Sequence, residues 1–149
     1  MTADRRRNST CPQCGAPDDA SGNACADRFA ELLALDHSRT EPWGSRHGLA
    51  FSAYVLQHPR DYAQDVHAAC WRMLYRVYVQ GEDRQAVATE MRALHGGALA
   101  HVAVPAFPGV DAKPRSFGTT IADLGAFDAA AYPTLLDAWC RATLAGYGA

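Results

Sequence analysis

No stretch of the sequence approaches the roughly 18 consecutive apolar residues that a spanning helix needs, so no membrane span is expected. Charge of one sign is not in excess either: 14 Lys plus Arg stand against 16 Asp plus Glu, a formal net charge of -2. Without a general positive field, neither nucleic acid nor anionic lipid is an expected partner. The opening MTADRRRNST carries a basic triplet with no apolar run behind it, so neither a signal peptide nor an anchor is expected there. Internal repeats and low-complexity tracts are missing. So are G-x-S-x-G, H-E-x-x-H, a phosphate-binding glycine loop and a dinucleotide fingerprint, and without them no reaction is specified.

What is present fits one soluble globular domain: 149 residues, 48% of them hydrophobic and 20% charged. Residues 1–10 read as a disordered tail and residues 11–149 as a single helical domain opening on a looped knuckle at 11–25. A cytoplasmic location is expected, and there a C-x-x-C pair is a metal clasp or redox motif rather than a structural disulfide.

The apolar spacing predicts an all-α fold of about five helices in a compact bundle. CADRFAELLALDH sets Cys25, Phe29, Leu32 and Leu33 on one face, with Glu31 and Asp36 turned outward. A Pro- and Gly-bearing linker, SRTEPWGS, follows. The second helix runs from about Arg46 until Pro59 ends it, since the residue before a proline is pushed out of helical geometry. The third carries a broad stripe of His67, Cys70, Trp71, Leu74, Tyr75 and Tyr78, which marks it as the central helix. The fourth is EDRQAVATEMRALHGG, with Val87, Met91 and Leu94 on one face and a Gly96-Gly97 stop. Residues 98–118 hold three prolines and read as an irregular strap with one short strand at Ala100 to Val104. Thr120 and Asp123 make a capping signal, and the last helix turns Leu135, Leu136, Trp139, Cys140 and Leu144 inward.

The chemistry lies in CPQCGAPDDASGNAC, Cys11 to Cys25. Two thiolates two residues apart grip one tetrahedral ion, and Gly15 permits the tight turn that aims backbone N–H groups at the sulfurs. Cys25 adds a third sulfur. The fourth ligand follows from helix geometry. His37 closes the helix that Cys25 opens, about 18 Å away, and so cannot reach the same ion. A short linker makes the second helix antiparallel to the first, which brings its start, His47, near His37 and its end, His58, back beside Cys25. His58 is the favoured ligand; His67, which should pass near it on the third helix, is the alternative. A third arrangement uses one of these histidines as ligand and leaves the other to orient it. His67 and Cys70, one turn apart, could also pair. Zinc is the expected cofactor. His95 and His101 have no partner spacing, and Cys70 and Cys140 read as buried small hydrophobes.

CPQCGA, the later cysteine before a helix, HGLAFSAYVLQHP, a histidine in the next helix and a tryptophan-bearing last helix resemble the bacterial family catalogued as domain of unknown function 5946. The resemblance spans nearly the whole chain, and its most distinctive piece is Tyr54 to Pro59. It implies a small, largely helical protein with cysteine and histidine motifs, singles out Gln57 and His58, and implies no activity.

Three functions stay open. Three thiolates and an imidazole close the tetrahedron and point to a zinc-stabilised binding or regulatory protein, its partner an unknown protein or small molecule. The alternative is a metal-dependent hydrolase-like enzyme using His47, Tyr54, His58 and His67 with Asp61 or Asp65. Redox sensing through the thiolates is a third role. Trp43 and the Phe107 to Phe117 strap read as caps on the bundle or as a partner surface, and Arg72 with Arg76 as a solvated flank or an anion site.

Overall fold

The computed structural model describes residues 10–17, 24–94, 103–110 and 115–149. Among these, five α-helices account for the regular structure: α1 Ala24–His37, α2 His47–Gln57, α3 Gln64–Leu74, α4 Arg84–Leu94 and α5 Tyr132–Gly146. No β-strand occurs among the described residues; Thr10 and Pro17 form one isolated antiparallel bridge. The all-α expectation therefore holds. The tail at 1–9, the Gly96-Gly97 stop, His95, His101 and most of the strand expected at Ala100 to Val104 lie outside the described residues. Ala103 and Val104, which are described, are irregular.

Helix α2 is the centre of the fold. All seven residues from Ser52 to His58 are buried, as are Leu49 and Ala50, and α3 and α5 pack on it while α1 lies alongside. A helix apolar all round has to be covered all round. The sequence pattern had pointed to α3, whose stripe is broader, but a wide stripe marks a helix with one solvated side. In α3, Ala68 is exposed and Val66 and Arg72 are half-buried. Past Leu74 the chain continues in a wider π turn, Tyr75–Val79, which buries Arg76. That guanidinium donates to Glu82 at 2.8 Å and to Glu90 at 2.7 Å. Arg76 is thus a structural cation tying α3 to α4, with no charge left over for an anion shared with Arg72.

Thr120 and Asp123 do form a reciprocal capping box, but it opens the short 3-10 turn Ile121–Leu124 rather than α5. Helix α5 begins eleven residues after Ile121, at Tyr132, with a proline in its first turn, where the missing N–H costs nothing. Trp43 donates its indole N–H to the Phe127 carbonyl at 3.0 Å. Phe107 packs between Trp71 and Tyr147, with ring centroids 5.6 and 4.9 Å away. Both aromatics are caps.

Gly146, at the end of α5, lies under the Phe117 ring: a Cβ there would sit 2.5 Å from two ring carbons. In an open helix Gly→Ala gains about 1 kcal/mol. Here the sign reverses: Gly146→Ala is expected to destabilise by roughly 1–3 kcal/mol through overpacking. Denaturant unfolding measures it, and a stabilised variant would mean that Phe117 does not pack there.

Candidate metal centre

The knuckle is built by its own backbone. Cys11 N–H donates to the Ala16 carbonyl at 2.7 Å, and Gly15 N–H donates to the Cys11 carbonyl at 2.9 Å. The turn needs φ of +80° at Gly15, a value that costs glycine little. Ala16 N–H then points at the Cys14 sulfur, 3.4 Å away, as the glycine-following motif predicts. Cys14 is buried and Cys11 partly so.

Two helices bring the other donors. Cys25 sits in the first turn of α1, its Sγ 3.6 Å from Cys14 Sγ. Sulfurs at tetrahedral positions around one zinc, each at about 2.3 Å, would be about 3.8 Å apart. His58 follows α2 directly, where Pro59 forces it out of helical geometry to φ −129° and ψ 52°. Its ring Nδ1 lies 2.9 Å from the Tyr54 carbonyl, an acceptor, which makes Nδ1 the protonated nitrogen. The lone pair is therefore on Nε2, which is buried and has no hydrogen-bond partner among the described residues. Donor atoms of Cys11, Cys14, Cys25 and His58 all lie within 4.8 Å of one another. A buried nitrogen with nothing to bind, facing three thiols, is what a cation would satisfy.

Electrostatics within the cluster agree. The hydrogen bond from Cys14, with His58 close by, lowers the Cys25 thiol to about 5 despite its burial. That same hydrogen bond, together with burial, pushes the Cys14 thiol up. The two buried sulfurs share one proton, and a cation that displaces it leaves both as thiolates.

The surround fixes the imidazole. Its ring stacks on Tyr54 with centroids 4.1 Å apart, and Tyr54 stacks on Phe29 at 3.8 Å. Tyr54 is buried, and that desolvation pushes its phenol up, so it serves as packing. His67 is not within the four-residue cluster. Its Nε2 lies 2.6 Å from the Pro59 carbonyl, so it holds the corner just after His58. Cys70, one turn on, is a buried thiol that desolvation pushes up to about 12.

Of the residues in the alternative enzyme reading, Tyr54, His58, His67 and Asp61 lie at the α2–α3 corner, whereas His47 does not. His47 is at the far end of α2 from His58, about 16 Å along the axis. Its Nδ1 instead meets Asp36 Oδ2 at 3.0 Å. Asp36 is buried, not turned outward as its charge suggested. The signal was present: Cys25, Phe29, Leu32 and Asp36 fall at helical spacing on the single buried face of α1. Asp61 accepts from Gln13 Nε2 at 3.2 Å, and Asp65 is exposed. Gln13, which sequence reasoning passed over, also accepts from Arg60 N–H at 3.0 Å. It clasps the knuckle to the turn that follows His58.

The family model for DUF5946, a family of unknown function, matches residues 9–148. The chain belongs to DUF5946. No curated protein and no solved structure matches it. In this DUF5946 chain the stretch Tyr54–Pro59 supplies the histidine of the candidate cluster, the carbonyl that orients it, the ring it stacks on and the carbonyl that His67 holds. It also contains Gln57, buried behind the site against α5. No described helix of the DUF5946 chain is long and apolar enough to cross a membrane.

Proposed function

We propose that the protein is a zinc-stabilised helical binding module, in which Cys11, Cys14, Cys25 and His58 hold one structural zinc ion and His67 and Gln13 position the turn beside it. One observation carries this reading: four donors from three separated segments converge within 4.8 Å, one of them a buried imidazole nitrogen with no other partner among the described residues. Three sulfurs and one nitrogen fill a tetrahedron and leave no position for water, and each thiolate makes the metal a poorer Lewis acid. The ion's work is then to tie a loop-rich N-terminal segment to the α2–α3 corner, so that metal binding contributes to folding. Thiolates kept free for a metal belong in a reducing compartment, and we place the protein in the cytoplasm.

Elemental analysis of purified protein tests this, with one zinc per chain expected; a chain whose melting temperature is indifferent to metal, or that binds it equally well after Cys25→Ser, overturns the reading. A second expectation concerns acid. The thiolate, not the thiol, binds metal, so at least one proton leaves as zinc enters. Affinity therefore rises with pH and falls with acid. Each proton displaced weakens binding about tenfold per unit of acidification, so zinc competition at pH 6 should be at least about tenfold weaker than at pH 7.

An enzymatic reading draws on the Asp36–His47 pair alone. Among the described residues only one group of three or more His, Cys, Asp and Glu is close enough to hold a metal, so a second, catalytic ion has no such ligand set.

A further inference from the structure

The far end of the α1–α2 hairpin holds a second polar site. There the last turn of α1, the first turn of α2 and the face of α4 enclose a cleft of about 1020 Å³. Asp36, His37, Arg39, His47 and Arg92 line it, over a floor that includes Met73 and Met91.

Its charges are arranged unequally. The Asp36 side chain is fully buried and its Oδ2 is engaged by His47 Nδ1 at 3.0 Å, while Oδ1 is buried without a partner among the described residues. A carboxylate so placed accepts from the ring at Nδ1 and fixes its orientation. Nε2 is then the free nitrogen of a side chain that is 40% exposed and lines the cleft. His37 stands beside it, ring centroids 5.5 Å apart. The cleft's other carboxylate, Glu41, is occupied by Ser45 at 2.6 Å and Arg46 at 3.5 Å. Arg39 and Arg92, in contrast, have no side-chain partner among the described residues. Arg39 is held with φ of +59°, an uncommon conformation for a residue with a side chain.

We infer that this cleft binds an organic phosphate monoester, its dianionic head held by Arg39, Arg92 and the two imidazoles and its organic body resting on Met73 and Met91. Two planar guanidinium forks offer more donors than a carboxylate can accept, and they suit the several oxygens of a phosphate. The volume exceeds what the head alone needs and falls in the range of small-molecule sites. A buried Asp behind a half-exposed His has a purpose in such a site, since it keeps the ring oriented without adding an exposed negative charge. The inference rests on the binding-module reading only in naming what is bound. Cys25 and His37 are about 18 Å apart along α1, so this cleft and the metal centre can fail separately.

The test uses zinc-loaded full-length chain. Ring resonances of His37 and His47 are followed by NMR as inorganic phosphate, and then phenyl phosphate, is added against sodium chloride of equal ionic strength. Saturable shifts of both rings are expected, with phenyl phosphate the tighter by at least about threefold, because it alone covers the apolar floor. Arg39→Ala and Arg92→Ala, both at exposed positions, should each weaken binding about tenfold while circular dichroism and zinc content stay unchanged. Asp36→Asn should weaken it as well. Shifts reproduced by sodium chloride, or phosphate binding indifferent to both arginine substitutions, would overturn the inference. Saturable phosphate binding by chain that takes up no zinc even when zinc is supplied would leave the cleft standing and remove the metal reading instead.

Discussion

His58→Ala protein is expected to leave purification with less than one zinc per chain and to melt roughly 6–11 °C below wild type. The size follows from linkage. Losing one of four ligands weakens the site by more than the 10- to 100-fold that a positioning partner is worth. A 100-fold loss removes about 2.7 kcal/mol of ligand-derived stability. In a chain of about this length, 1 kcal/mol corresponds to roughly 2–4 °C. His58 also stacks on Tyr54, so part of any drop is lost packing. Chelation separates the two: the gap between zinc-loaded and chelated melting temperatures should be wide in wild type and close to nil in the variant. Cobalt substitution adds a spectroscopic arm, since the sulfur-to-metal absorption of a tetrahedral site should vanish with Cys25→Ser. His67→Ala should keep the metal but bind it some 10- to 100-fold less tightly, because His67 acts on the Pro59 carbonyl and not on the ion. Equal retention of zinc by His58→Ala and wild type would remove His58 from the site.

The candidate metal site was legible because its logic is one-dimensional. Cys11 and Cys14 are close in the chain, and Cys25 and His58 lie at the ends of two helices whose short connection forces them antiparallel. Counting residues at 1.5 Å each was then enough to set His58 beside Cys25 and His37 beside His47. The same counting could not choose between His58 and His67. That choice lay in a hydrogen bond: Pro59, by breaking the helix, exposes a carbonyl that captures His67, while the Tyr54 carbonyl takes Nδ1 of His58. Nor could it show Asp36 buried, because a carboxylate in a helix is read as outward unless its partner is known. His47 comes from another helix, and only the folded hairpin brings the two together. The centre of the fold was misread for a related reason. The stripe on α3 announces one apolar face, whereas α2 is covered by three helices, and its buried Ser52 and Gln57 donate to carbonyls within the fold.

Gln57 is where the second large effect should fall. The side chain is fully buried, and its Nε2 donates to the Thr119 carbonyl and to Thr143 Oγ1, each at 2.9 Å. Thr143 passes the bond on to the Trp139 carbonyl at 2.8 Å. One amide thus joins the end of α2, the segment before the 3-10 turn and the middle of α5. Removing it leaves a cavity and strands two polar partners, so Gln57→Ala should cost roughly 3–5 kcal/mol in urea or guanidinium unfolding. Gln57→Leu fills most of the volume yet satisfies neither partner; its cost should stay at about 1–3 kcal/mol, which assigns that part to hydrogen bonding. Thr143→Val removes one acceptor at nearly constant shape. In a double-mutant cycle with Gln57→Leu the coupling should reach about 0.5–3 kcal/mol, against near-additivity for two groups that do not touch. Because Gln57 immediately precedes His58, the cycle should be run on both zinc-loaded and chelated protein. A coupling that survives chelation belongs to the α2–α5 contact, and one that disappears would mean that the amide acts through the metal corner instead.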